Sequence, residues 1–456
     1  MSASKSFRRR FHAKNLKTIY KERIREARAT GLDRMRPANL YKTLDEEISN
    51  ITRKVEDGSY KFTAYKQKLI SKGAGQAPRV LSIPTARDRI VLRALCQVLQ
   101  DVYPDAIPSI PQATIQEVKT ALSSGKFNAF VRLDLRNFYG SIVHAQLQKQ
   151  IKKRIRKKTL LRLVNIAIQT PTIPEGTSSG DAELNLIGIP QGLSISNQLA
   201  EITIRHVDNI FNKKADIAYF RYVDDILILV AADQAEAVAI EAMALLKLHD
   251  FEPHDPKVPN SKSRIGKFSE PFSFLGYQID NGKLSVRPES IHKLESALAA
   301  VLTNHRYRMT NARTHGERDA IIKLTNWRLN LKITGCIFEG VRRGWVFYFS
   351  QIDETTRLRA LQYTVVSLLE RFGAVSVIRP KSFLKAFYES RRTDKISHRY
   401  IPNFDVMDVS EKRDILALFV GDRRASSLSE KRVEQLFNMR IRHAVKELEA
   451  DLVRLS

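Results

Sequence analysis

The sequence predicts an α/β fold over its first 285 residues, built on a small antiparallel sheet, with a helical region over 286–456. Three observations predict it. The apolar runs IAYF and ILILV flank the acidic pair of FRYVDDILIL (Phe220–Leu229) like the two arms of a hairpin. FSFLGYQI and KLSV flank Asn281 and Gly282, the favoured two-residue hairpin turn. Helical spacing of apolar residues surrounds these runs, as in SNQLAEITIRHVDNIF, and it dominates beyond Pro288.

Taken in order, residues 1–60 read as basic helices, NLKTIYKERIREAR and LYKTLDEEISNITRKVEDG. YKFTAYKQKLISKGAGQAPRVLSIPT reads as strands around a glycine-rich turn. Asp88 opens a helix with Ile90, Val91, Ala94, Leu95, Val98 and Leu99 on its apolar side. AFVRLDL is a short strand, and QLQKQIKKRIRKKTLLRLVNIAIQ one basic helix. PTIPEGTSSGDAEL has the composition of a loop. Asp233 with Glu236, and Ser427 with Glu430, have the spacing of capping boxes for AEAVAIEAMALLKLH and for the last helix.

The chain has 456 residues, 43% of them hydrophobic, enough for more than one folded lobe. Its 76 basic and 49 acidic residues leave a net charge of +27, which suits a polyanionic partner. Two distant cysteines, Cys96 and Cys336, build neither a disulfide framework nor a zinc site, so the expected location is cytoplasmic. MSASKSFRRRFHAK lacks the apolar core of a signal peptide, and ILILVAA is strand-sized, so no membrane association is expected.

The hairpin carries the chemistry. Adjacent carboxylates in a dry setting repel each other and lose hydration, and a divalent cation removes both costs. Two Mg²⁺ ions need a third acid, and Asp134 is the candidate, at the end of the strand in FVRLDLRNFYGSI. Asp-Asp alone is ordinarily a solvated turn, and a lone strand-end Asp a cap. The joint pattern points further: strand-Asp, a glycine-rich turn into a helix, then aromatic-x-Asp-Asp in a hairpin.

These motifs resemble the reverse transcriptases over about Tyr60 to Val286. RLDLRNFYGSI resembles the first catalytic motif, and GIPQGLSISNQLAEI the motif that follows. RYVDDILIL resembles the catalytic hairpin, and FSFLGYQI the primer-grip hairpin. RVLSIPTARDRIVLRAL resembles the fingers-to-palm stretch of the bacterial, retron and group II intron enzymes. The resemblance implies a right-hand polymerase: fingers and palm with an antiparallel palm sheet over 1–285, with the basic helical segment 1–60, then a helical thumb and C-terminal extension over 286–456.

The resemblance also implies roles. Asp134, Asp224 and Asp225 hold two Mg²⁺ ions, with the Leu135 carbonyl as a further ligand. Tyr139 is an aromatic gate against the ribose 2′-hydroxyl, and Phe138 a core residue. Lys72 and Arg79 reach the triphosphate of the incoming deoxynucleotide across SKGAGQAPR. Gln191 and Gly192 line the nucleotide and template base. Lys262, with Lys257 as its competitor, protonates pyrophosphate. KKRIRKK (Lys152–Lys158) faces template or structured RNA, with a solvated helix face as its rival. GVRRGW either grips backbone or caps the core of the thumb.

The short layout, without a candidate ribonuclease H segment, resembles the bacterial defence-associated (DRT, unknown-group) reverse transcriptases. Within them NLKITGCIFEGVRRGWVFYFSQI leans toward type 2, with type 9 next. That implies antiphage defence, a structured noncoding RNA as template and partner, and a cDNA product; the layout allows an oligomer. The alternatives are a retron-like enzyme, an Abi-like enzyme making DNA without a template on a protein primer, and an RNA-binding scaffold with an inactive polymerase fold. An RNA-dependent RNA polymerase is disfavoured because 135–141, LRNFYGS, holds no second acid.

Overall fold

The computed structural model describes residues 1–71, 73, 75, 77–177, 182–392 and 400–453. The chain forms two compact units, Met1–Ser109 with Phe127–Gly266, and Ile110–Lys126 with Lys267–Ser456. The expected division at 285/286 and this one at 266/267 differ over the FSFLGYQI hairpin, which belongs to the second unit.

The first unit holds β1 (Tyr65–Ile70), β2 (Arg79–Ile83), β3 (Ala129–Asp134), β4 (Thr172–Ile173), β5 (Ala218–Tyr222) and β6 (Asp225–Val230), and most of β7 (Arg264–Lys267). The order β5-β6-β3-β7 makes a four-stranded sheet. In it β6 runs antiparallel to both β5 and β3. Side chains alternate between the faces of a strand. Val131 and Leu133 of β3, with Ile226, Ile228 and Val230 of β6, therefore enter the main core. Arg132, Asp134 and Asp225 lie on the opposite face. β1 pairs with β2 antiparallel and with β4 in parallel, so the segment read as a loop contains one short strand.

Helices cover the core. Ser196–Phe211 forms over the residues its periodicity predicts. In Ala86–Val102 all six predicted apolar positions are buried, but Thr85 caps the helix by accepting from the Asp88 amide, and Asp88 itself is buried. The predicted single basic helix is two, His144–Lys152 and Lys158–Gln169. The break falls where Arg154 is drawn to Asp105 and Ile155 turns inward. The Asp233–Glu236 box is absent: Ala235–Leu248 starts after Gln234 without a side-chain cap. Nor does Ser427 cap the last helix, Glu430–Val453, because its hydroxyl donates back to the Arg424 carbonyl.

The second unit holds β8 (Phe272–Phe274), β9 (Tyr277–Asp280) and β10 (Lys283–Val286) as an antiparallel meander, and β11 (Cys336–Phe338) with β12 (Val341–Arg343) as a hairpin. Asn281 and Gly282 both take positive φ, +47° and +76°, the twisted turn that Asn-Gly favours. Helices Pro288–Asn311, His315–Thr334 and Thr356–Arg371 bear out the helical reading. GVRRGW points inward: Arg342 donates to the Ser390 carbonyl, Arg343 pairs with Glu449, and Trp345 is buried. No described helix is long and apolar enough to cross a membrane.

Candidate active site

Tyr222 pairs with Asp225, leaving Val223 and Asp224 as a two-residue turn. Val223 has φ +58°, a strained conformation for a β-branched residue. Arg221 braces it from the core side of the sheet. Its Nη1 donates to the Val223 carbonyl at 2.9 Å. Nη1 and Nη2 also reach both Glu201 oxygens at 3.1 and 2.6 Å, while Nε and Nη2 reach Asp208 at 2.7 Å each. Glu201 and Asp208 are seven apart on Ser196–Phe211, two turns along one face. Tyr219 adds a hydrogen bond to Asp208 at 2.8 Å.

On the other face the β3–β6 register sets Asp134 opposite Asp225. The Leu135 amide donates to the Asp224 carbonyl at 3.0 Å, drawing the tip against the end of β3. Burial, and next the Asp134 charge, raise the pKa of the Asp224 carboxyl. Asp225 is pushed up to about 6 by burial, with Arg132 pulling the other way. That pull is a fork: Arg132 Nε and Nη2 donate to the two Asp225 oxygens at 3.0 and 3.1 Å. Arg132 is two residues before Asp134 on the same face, which places it diagonally across from Asp225.

Asp134 faces different partners. His254 Nε2 lies 3.3 Å and Lys262 Nζ 3.5 Å from one of its oxygens, and its amide donates to the Ser263 hydroxyl oxygen at 3.0 Å. Burial lowers the His254 pKa against the pull of Asp134. Lys262 therefore stands at the acid cluster, whereas the Lys257 amide closes a local turn on Asp255.

The acid cluster fits hard cations only in part. Asp134 and Asp224 offer carboxylate oxygen where charge is under mutual repulsion, the donor chemistry Mg²⁺ takes. The third carboxylate is committed to Arg132, and among the described residues no three His, Cys, Asp or Glu side chains are grouped to hold a metal ion.

Tyr139 stands beside this cluster. Its hydroxyl donates to Asn197 Oδ1 at 2.9 Å, while Phe138 is buried against Phe251. Burial, then the Asp224 charge, raise the Tyr139 pKa, and Arg79 opposes both that rise and the one at Asp224. Arg79 is thus within electrostatic reach of both. Gln191 accepts the Ser82 amide at 2.7 Å through its carbonyl, tying IPQG to β2. Gly188 has φ +84°, and a Cβ there would sit 2.8 Å from the Gly140 carbonyl oxygen. Gly192 has φ +101° and passes Ser82 almost as closely. Lys72 lies outside the described residues.

Sequence reading missed Arg132, Arg221, Glu201, Asp208, Asn197 and His254. Only the i, i+7 acids on a predicted helix offered a signal.

Residues 70–279 match the family described as "Reverse transcriptase (RNA-dependent DNA polymerase)". Protein YkfC of Escherichia coli K12 is 23% identical over 305 residues, covering 56% of this chain and 76% of its own. The group II intron-encoded protein LtrA of Lactococcus lactis is 22% identical over 173 residues, covering 36% of this chain and 28% of that protein. A solved telomerase from Candida albicans, in complex with a TWJ fragment of telomeric RNA, is 14% identical at a TM-score of 0.42, covering 90% of this chain and 67% of that one.

Proposed function

We propose that this chain, whose residues 70–279 match the reverse transcriptase (RNA-dependent DNA polymerase) family, copies a structured noncoding RNA into cDNA, and does so in antiphage defence. The observation that carries the polymerase site is the register: Asp134 opposite Asp225, with Asp224 at the adjoining tip. The defence role and the noncoding template are supported by the resemblance to the DRT enzymes and by the +27 charge.

Asp134 and Asp224 are the residues placed to hold divalent cations, which when bound supply charge neutralisation at the transferring phosphoryl group. Asp225 joins them only if it leaves Arg132. In this reading Tyr139, held by Asn197, excludes a ribose 2′-hydroxyl by filling its space. Arg79 presents charge to the triphosphate, with Lys72 as its partner across the turn. Gln191 and Gly192 bring backbone close to the nascent pair, since glycine admits close approach. Lys262, near Asp134, is positioned to give a proton to pyrophosphate. The FSFLGYQI hairpin grips the primer, and 286–456 serves as thumb and extension.

The test is incorporation of labelled deoxynucleotides with copurified RNA and Mg²⁺, wild type beside Asp224→Ala, followed by sequencing of the bound RNA and the product. Equal incorporation by the two proteins removes the assigned site. Products that match no single RNA remove the dedicated template.

A further inference from the structure

The basic run Lys152–Lys158 is not a uniform charged face. Arg154 forms a fork on Asp105, at 2.5 and 2.8 Å, and lies 4.9 Å over the Tyr103 ring. Lys157 sits 4.9 Å over the Phe7 ring, and Ile155 is fully buried. These three residues belong to the protein's own packing. Lys152, Lys153, Arg156 and Lys158 are exposed, and among the described residues none of them pairs with a carboxylate. Lys149 shares the face of Lys152 and Lys153, at i+3 and i+4.

The contact between Lys157 and Phe7 brings the N-terminal helix Ala3–Arg10 to this place, with exposed Lys5 and Arg8. Two of the nearby acids are already taken up. Asp101 holds Arg9 and Arg10; Asp105 holds Arg154 and Arg205. The surplus of cations is therefore net, and it is displayed on a folded platform.

We infer that this face, Lys149, Lys152, Lys153, Arg156 and Lys158 with the N-terminal helix, docks the phosphate backbone of double-helical RNA. Phosphate rather than base recognition follows from the rings: Phe7 and Tyr103 are buried under cations, so neither offers a stacking surface for an unpaired base. The face is also set apart from the gate. His144 Nε2 contacts the Gly188 carbonyl at 2.7 Å, and the helix His144–Lys152 carries Lys152 about 12 Å from that end. The inference rests on the proposed function only in taking RNA as the partner.

The probe is a fluorescent, blunt RNA stem capped by a short loop, titrated by anisotropy at several salt concentrations, with a DNA stem of the same sequence as a second arm. The wild type should bind the RNA stem, and so should Asp224→Ala, whether or not any polymerase activity is seen. Replacing Lys152, Lys153, Arg156 and Lys158 with Gln should lower the slope of log affinity against log salt by about 3 to 4, at about 0.9 per phosphate contact. Its turnover on a pre-annealed RNA template and DNA primer should stay within about twofold (~0.4 kcal/mol). Replacing the three lysines with Arg should keep the slope. An unchanged slope in the Gln variant overturns the inference. So does preference for the DNA stem, loss of binding in the Arg variant, or loss of primed turnover with stem binding intact.

Discussion

Arg221→Lys is the most informative single change. Arg221 makes five hydrogen bonds from a side chain only 6% exposed: two to Glu201, two to Asp208 and one to the Val223 carbonyl. Lysine keeps the charge, so the two acids are not left facing nothing. It has three donors from one point and cannot span both carboxylates and the carbonyl together. The bond to be lost is the one at Val223, since two anions outcompete a neutral oxygen. A charge-assisted hydrogen bond is worth about 1.5–3 kcal/mol. Here it steadies a turn whose strain is itself about 1–3 kcal/mol.

If about 2 kcal/mol of that is lost in holding Asp224 in place, kcat falls about 30-fold. KM for the deoxynucleotide should hold within about threefold (~0.65 kcal/mol), because Arg221 is one residue off Tyr222 and so lies on the face away from Asp225. The assay is single-nucleotide extension of an annealed primer, with thermal unfolding as a check on the fold. A folded Arg221→Lys protein with wild-type kcat, or one whose whole defect is in KM, refutes the bracing role. Arg221→Ala is less useful, since stranding two largely buried acids costs about 3–5 kcal/mol and threatens the fold itself.

Asp134→Asn and Asp224→Asn should each reduce extension by at least about a thousandfold (~4 kcal/mol), as should chelation of the divalent ion. Asp224→Asn should at the same time raise the metal-free melting temperature, because it removes a carboxylate that burial and Asp134 both disfavour. Asp225 has its pKa raised to about 6, so the folded state holds its proton more tightly than the unfolded chain does. Its stabilising share is present below about pH 4 and is lost as pH rises through 6. The stability of the wild type minus that of Asp225→Asn should therefore fall by up to about 3 kcal/mol between those values in metal-free denaturation, and a flat difference refutes it. Tyr139→Ala should admit ribonucleotides, and Asn197→Ala should do so more weakly, since it frees the ring without removing it; unchanged sugar selectivity in both rejects the gate. Gly188→Ala should cut extension and stability together, because its Cβ meets the Gly140 carbonyl oxygen at 2.8 Å where neither backbone can yield.

What was legible in the sequence was local. The Asn281-Gly282 turn, the Ser196–Phe211 helix and the arms around Asp224 follow from a period or a turn signal within about twenty residues. The capping boxes failed because spacing alone does not say where a helix starts, and Ser427 found a nearer acceptor in Arg424. The basic run was misread as one helix because its break depends on Asp105, almost fifty residues away. The counter-ions went unseen for the same reason. Nothing around Arg132 announces that it will meet Asp225, since that meeting exists only once β3 and β6 are in register.

That register makes the ion pair more than a local contact. Slipping β3 by one residue against β6 would send Asp134 into the core and bring Leu133 to the face of Asp225. The slipped sheet would hold an unpaired carboxylate against Ile226 and Ile228, and would turn Arg132 away from Asp225. Each stranded charge costs several kcal/mol, comparable to the stability of a domain. The in-register sheet avoids this by giving two charges of the hairpin partners: Arg132 for Asp225 on one face, Glu201 and Asp208 for Arg221 on the other. Two carboxylates can stand at a strained turn because cations are built in on both sides of it. Releasing Asp225 from Arg132 is then the step that would complete a three-acid site, and it calls for a competing cation rather than a rearranged backbone.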